Sequence, residues 1–156
     1  MARIGTVLRD TKETQIEVAV NLDGGDVNVK TGIGFFDHML TAFGFYAKIG
    51  LTVQATGDLY VDGHHTVEDV GICLGLALKQ ALGDRAGIRR FGSCYVPMDE
   101  ALTFTALDFS NRPYLVFDAS MPQERIGEYD SCLTVEFMRA LAMNAGITLH
   151  QKCFYG

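Results

Sequence analysis

The run Asp62-Gly63-His64-His65-Thr66-Val67-Glu68-Asp69 concentrates groups able to hold a cation or move a proton. If a helix begins here, His64 and Glu68 stand four positions apart and His65 and Glu68 three, so two imidazoles and a carboxylate leave one sector of its first turns. Neutral imidazole together with carboxylate suits a borderline divalent ion such as Mn²⁺, Fe²⁺ or Zn²⁺, whereas Ca²⁺ takes oxygen donors. A solvated helix start with adjacent histidines fits the same residues, and spacing by itself leaves both readings open. A hydrolytic zinc site is disfavoured, because neither HExxH nor HxxEH occurs in this run.

The remaining candidates are more scattered. His38 lies in FFDHML among apolar residues, a setting that also suits a structural histidine, and His150 alternates along a strand-like segment. Arg90 in GIRRFG and Arg112 in SNRP stand beside turns, where a planar guanidinium can grip a phosphate or pair with a surface carboxylate. Glu13, Asp99 and Glu100 supply carboxylates next to strands, for proton transfer or for turn capping. A nucleophile is not evident: there is no Gly-x-Ser-x-Gly, and no cysteine has an adjacent histidine.

The elements that must position these residues follow from hydrophobic periodicity. Glu13 to Leu22 puts Ile16, Val18, Val20 and Leu22 on one face, the pattern of a half-buried strand. Asp23-Gly24-Gly25-Asp26 reads as a turn, after which Val27 to Lys30 is expected to pair back. A helix follows from about Asp37, as N-cap, to Lys48, then a strand from Leu51 to Ala55. Val67 to Leu82 has helical spacing and is stopped by Gly83. The second half replays this order: strand ALTFTALDF, turn Ser110-Asn111, strand PYLVFD, a glycine-containing connector, a helix around Cys132 to Asn144, and strand ITLHQKCF. Ile33-Gly34-Phe35-Phe36-Asp37 matches Ile126-Gly127-Glu128-Tyr129-Asp130 at three of five positions, and Gly50-Leu51-Thr52-Val53 falls on Gly146-Ile147-Thr148-Leu149, as if the second helix were about a turn longer. The expectation is an α+β fold, a duplicated strand-and-helix unit whose similar halves, about 1–92 and 93–156, pack as one two-layer or sandwich-like domain.

Composition agrees with a folded chain of that size. At 156 residues and 17.1 kDa, 48% hydrophobic and 21% charged, it excludes a disordered or low-complexity protein. The net charge of −6 argues against binding nucleic acid or an anionic membrane, so an anionic ligand needs a local basic site. No apolar run reaches the length of a membrane span, and the N-terminus lacks a signal-peptide core, which points to the cytoplasm. Cys73, Cys94, Cys132 and Cys153 form no CxxC and are expected as reduced, buried thiols.

Together TKETQIEV, TGIGFFDHML, DGHHTVEDVGICLGLAL, ALGDRAGIRRFG, PMDEAL and DFSNRPYLVF resemble the imidazoleglycerol-phosphate dehydratase family of histidine biosynthesis, over essentially the whole chain. The resemblance implies a cytoplasmic lyase that removes water from imidazole glycerol phosphate through a metal-stabilised imidazolate to give imidazole acetol phosphate. It implies Mn²⁺, two ions per site, and a homo-oligomer of trimers assembling to 24 subunits, with active sites between them. Carried over residue by residue, His38, His64, His65, Glu68 and Glu136 become metal ligands. Glu13, Glu68 and His65 become catalytic groups, and Arg90, Arg112 and His38 contact substrate. The family also carries a second HHxxE motif, which by the repeat falls just past Gly156. The expectation is a native chain that continues; the alternative is a truncated, non-catalytic assembly subunit with an incomplete metal site.

Overall fold

The structure, a computed structural model, describes residues 2–156. In the first half β1 (Ile4–Asp10), β2 (Thr14–Asn21), β3 (Val27–Lys30), α1 (Gly34–Ala47), β4 (Gly50–Gly57) and α2 (His64–Leu82) follow one another. The alternation along β2 is realised, with Ile16, Val18 and Val20 buried. β3 does not pair back on β2. The sheet order is β1-β2-β4-β3, with β4 antiparallel to β2 and parallel to β3. α1 supplies the crossover that a parallel pair requires, and β4, whose Leu51 and Val53 are fully enclosed, takes the centre. β1 escapes a periodicity search because it is an edge strand with Gly5 as its one buried residue. A methyl group at Gly5 would lie 2.0 Å from the Ala77 carbonyl oxygen, so the missing side chain is what lets α2 lie on β1.

α1 starts three residues before Asp37, and Ile33, not Asp37, is its N-cap. The Asp37 carboxylate ties the helix entrance from inside the first turn, where Oδ1 accepts the Thr31 N–H (2.7 Å) and hydroxyl (2.6 Å). α2 begins at His64 and buries Val67, Val70, Cys73, Leu74 and Ala77 along one face, ending at Gly83 with positive φ.

The second half contains β5 (Phe91–Met98), β6 (Ala101–Asp108), β7 (Tyr114–Asp118), β8 (Arg125–Ile126), β9 (Tyr129–Asp130), α3 (Leu133–Ala145) and β10 (Thr148–Tyr155). Its sheet order, β5-β6-β10-β7, repeats the first with the same strand directions. The duplication is real, but its register differs from the sequence match. The buried Ile49 and Leu51 correspond to Ile147 and Leu149, each following a helix that ends in a left-handed residue, Lys48 or Gly146. Gly50 therefore corresponds to Thr148 and not to Gly146. α3 is no longer than α1; the additional residues of the second copy lie in the connector, where Ile126 to Asp130 form the β8–β9 hairpin and not a helix start.

The sandwich is formed by the two four-stranded sheets with the helices between them: α2 covers β1 and β2, and α3 packs on α2 and β7. Gly71 and Gly75 allow that helix crossing, since a methyl at Gly75 would lie 2.7 Å from the Leu141 carbonyl oxygen. Of the four cysteines, all free, Cys73 alone is buried; Cys94 and Cys132 are exposed, because β5 and the start of α3 face outward there. No helix among the described residues is long and apolar enough to cross a membrane.

Candidate active site

The three helix starts meet. A side-chain carbon at Gly63, the N-cap of α2, would lie 3.2 Å from Cδ1 of Ile33, the N-cap of α1, and 3.3 Å from Cδ1 of Leu133, the first residue of α3. His64, His65 and Glu68 on α2, His38 on α1 and Glu136 on α3 all occupy the first turns of these helices, at one end of the helix layer. His38 and Glu136 stand at matching places in the two repeats, each ten residues before the left-handed residue that ends its helix. His38 is exposed, contrary to its apolar neighbours in sequence. Glu136 forms an ion pair with Arg139 one turn on.

On α2, His64 Nε2 lies 3.4 Å from Glu68 Oε2, and both side chains are about half exposed. Two donors sharing an ion at about 2.1 Å each, roughly at right angles, stand about 3 Å apart, so this pair fits an edge of a divalent coordination shell. His65 turns away: its ring is perpendicular to that of His64, and its Nδ1 lies 2.9 Å from Asp58 Oδ2. That hydrogen bond, with the charges of Asp58, Glu13 and Asp62, raises the His65 pKa above the ordinary imidazole value. Glu13 is exposed beside β2; its carbonyl accepts the Asp58 N–H at 3.1 Å and its own N–H donates to Thr11 Oγ1. The donor types and the His64–Glu68 spacing fit a borderline divalent ion. Among the described residues, however, no three His, Cys, Asp or Glu side chains close on one point.

The arginines lie elsewhere. Arg90 makes a two-pronged ion pair with Asp108, Nε to Oδ1 at 2.6 Å and Nη2 to Oδ2 at 2.9 Å, and Arg112 reaches the same carboxylate at 3.7 Å. The Arg90 hydrogen bond, reinforced by both positive charges, holds the Asp108 carboxyl below its ordinary pKa. Two cations on one anion leave a net positive corner for an anionic ligand. It sits at the far end of α3: the Asn111 N–H donates to the Gly146 carbonyl, and the Arg112 carbonyl accepts from Thr148 Oγ1. A helix of 13 residues separates this corner from the helix starts by about 20 Å. His150, on β10, joins neither group.

Two residues escape the sequence reading. Asp58 reaches His65 only because a turn closed by Val61 N–H to the Asp58 carbonyl folds the segment back. Asp108, the last residue of β6, meets Arg90 by cross-strand pairing of β5 and β6. No local pattern in the sequence signals either.

These features define a class: a duplicated α+β chain of two four-stranded sheets whose helix starts lie together and carry imidazoles and carboxylates. The family model of imidazoleglycerol-phosphate dehydratase matches residues 31–156. The imidazoleglycerol-phosphate dehydratase of Rhodopseudomonas palustris is 57% identical over 155 residues, spanning 99% of this chain and 79% of that protein. That of Ruminiclostridium cellulolyticum is 56% identical, over 99% of this chain and 80% of its own length. In three dimensions the Staphylococcus aureus dehydratase superposes with a TM-score of 0.89 at 37% identity, covering 98% of this chain and 85% of that one. IGPD from Pyrococcus furiosus does so with a TM-score of 0.83 at 39% identity, covering 96% and 80%. The chain belongs to the imidazoleglycerol-phosphate dehydratase family.

Proposed function

We propose that this chain is a lyase of histidine biosynthesis that dehydrates imidazole glycerol phosphate to imidazole acetol phosphate, and that it does so with Mn²⁺, two ions per site. The observation that carries the reading is the meeting of three helix starts, which gathers His38, His64, His65, Glu68 and Glu136 at one end of the helix layer. These five would hold the metal, which supplies a Lewis acid that makes the substrate's imidazole ring an electron sink. The ring is needed in that role because the hydrogen removed lies on a carbon with no neighbouring carbonyl. The Glu13 carboxylate takes that proton, while His65 and Glu68 fix the ring and Arg90 and Arg112, with His38, hold the phosphate-bearing tail in register.

The reading includes a homo-oligomer, trimers assembling to 24 subunits. The arginine corner lies about 20 Å along α3 from the histidines, too far for one small substrate to bridge within a chain. That separation supports a site in which a second copy supplies one of the two groups. Exposed apolar side chains such as Tyr60, Tyr46, Leu8 and Phe45 are available for such contacts. We take residues 1–92 and 93–156 as two repeats of one domain, and a cytoplasmic location as the one that goes with the pathway. The test is turnover of imidazole glycerol phosphate with Mn²⁺: His65→Ala or Glu68→Ala should each abolish it. Undiminished turnover in either variant refutes the site, and a chain that assembles but never turns over is a non-catalytic assembly subunit.

A further inference from the structure

Asp58 is a costly residue where it stands. Its side chain retains only 11% of its exposure. One carboxylate oxygen, Oδ2, meets His65 Nδ1 at 2.9 Å, and the other, Oδ1, is buried with no hydrogen-bond partner among the described residues. An orphaned carboxylate oxygen costs stability, and native chains retain such groups where they serve a purpose besides folding. The backbone of Asp58 is fully engaged: its N–H donates to the Glu13 carbonyl, and its carbonyl accepts the Val61 N–H at 2.8 Å. The turn is therefore held by main-chain bonds, and the side chain is free for another role.

We propose that Asp58 is the positioning residue of His65. A carboxylate accepts and cannot donate, so the hydrogen bond places the imidazole proton on Nδ1. Nε2 is thereby left with its lone pair free, the ring nitrogen able to bind a divalent cation. The same bond fixes the ring's rotation, which sets it perpendicular to His64. Because Asp58 also bonds the Glu13 carbonyl, one residue registers the proton-accepting loop against the start of α2. Histidines that bind metals commonly depend on such a carboxylate, whose removal weakens metal affinity by about 10- to 100-fold. This inference deepens the proposed metal site and rests on His65 being one of its ligands.

The test uses Asp58→Asn, which retains size but can offer an N–H to Nδ1 and so admit the opposite tautomer, with His65→Ala alongside. Mn²⁺ binding to the assembled protein is followed by electron paramagnetic resonance, and the His65 tautomer by ¹⁵N NMR of the metal-free protein. Asp58→Asn should weaken Mn²⁺ binding by about tenfold or more. It should also shift the His65 nitrogens away from the Nδ1–H pattern without lowering the melting temperature. Unchanged affinity with an unchanged tautomer overturns the proposal, as does a loss of affinity accounted for by unfolding. The two ways of failing separate cleanly. If His65→Ala binds Mn²⁺ as well as the parent, the ligand reading itself is wrong; if His65→Ala loses the ion and Asp58→Asn does not, Asp58 alone is misassigned.

Discussion

Thr14 donates a 2.6 Å hydrogen bond from Oγ1 to Oδ2 of Asp69, whose other oxygen meets Arg9 Nε at 2.9 Å. Thr14 and Asp69 are both buried, so this bond fastens β2 to the first turns of α2 immediately beside Glu13 and Glu68. Hydrogen bonds to a charged group contribute about 1.5–3 kcal/mol. Thr14→Val should therefore lower unfolding stability by about that amount, read from urea midpoints. A variant as stable as the parent would mean that Arg9 alone holds the Asp69 carboxylate.

The crossing of α2 and α3 should be intolerant of one methyl group. At Gly75 a Cβ would lie 2.7 Å from the Leu141 carbonyl oxygen and 2.9 Å from the Ala145 nitrogen, both backbone atoms that cannot swing aside. Gly75→Ala raises helix propensity yet should destabilise the chain by about 1–3 kcal/mol through overpacking. Thermal unfolding checks it: a rise in melting temperature would show that the helices separate without cost.

What the sequence disclosed and what it hid divide along a physical line. Periodicity locates β2 and α2 because each buries one regular face, as Ile16, Val18 and Val20 do, whereas α3 and β10 follow from the second half replaying the order of the first. It missed β1 and β5, edge strands with little buried side chain to leave a pattern. The pairing of β3 with β4 was hidden because strand order is decided by which strand wins the centre, a competition that Asp23-Gly24-Gly25-Asp26 does not encode. Spacing on one helix brings out the His64–Glu68 pair, which stands 3.4 Å apart, but not the direction of His65, which turns to Asp58 instead of joining them. Asp58 and Asp108 were not legible, since a turn and a cross-strand register bring them to their partners.

Asp108 gives the arginine corner a pH signature. Arg90 holds the Asp108 carboxyl below its ordinary value of 3.8, so the folded chain binds this proton more weakly than the unfolded one does. The stabilisation is then complete above about pH 3.8 and disappears as pH falls through the depressed folded value. Asp108→Asn should be less stable than the parent at pH 7, and the gap should close below pH 3.8. Urea unfolding at pH 7 and pH 3 measures both; a gap that is constant with pH would assign the loss to packing.

Cys73 should resist thiol reagents while Cys94 and Cys132 react. It is enclosed beside Val70 and Leu74, and burial pushes its thiol up to about 11. Because the folded state holds this proton more tightly, its contribution to stability is intact below the unfolded value of 9.0 and is lost as pH rises through about 11. Iodoacetamide at pH 8 followed by peptide mass mapping should find Cys94 and Cys132 alkylated and Cys73 untouched until the chain is unfolded. Rapid native labelling of Cys73 would contradict the enclosed core.

The separation of the arginine corner from the histidines predicts complementation between defective copies. His65→Ala and Arg90→Ala should each be inactive alone, one lacking a group at the helix starts and the other lacking the grip at the far end of α3. If each site takes its histidines from one copy and its arginines from another, chains mixed in equal amounts, unfolded and reassembled together will form some sites that carry neither lesion. Random assembly gives about a quarter of the sites this intact pairing, so the mixture should recover about a quarter of parental turnover. Were both groups taken from the same chain, no mixed site could be whole and the mixture would stay as inactive as its components. Turnover of imidazole glycerol phosphate by the reassembled mixture, measured against each variant carried through the same procedure, distinguishes the two arrangements.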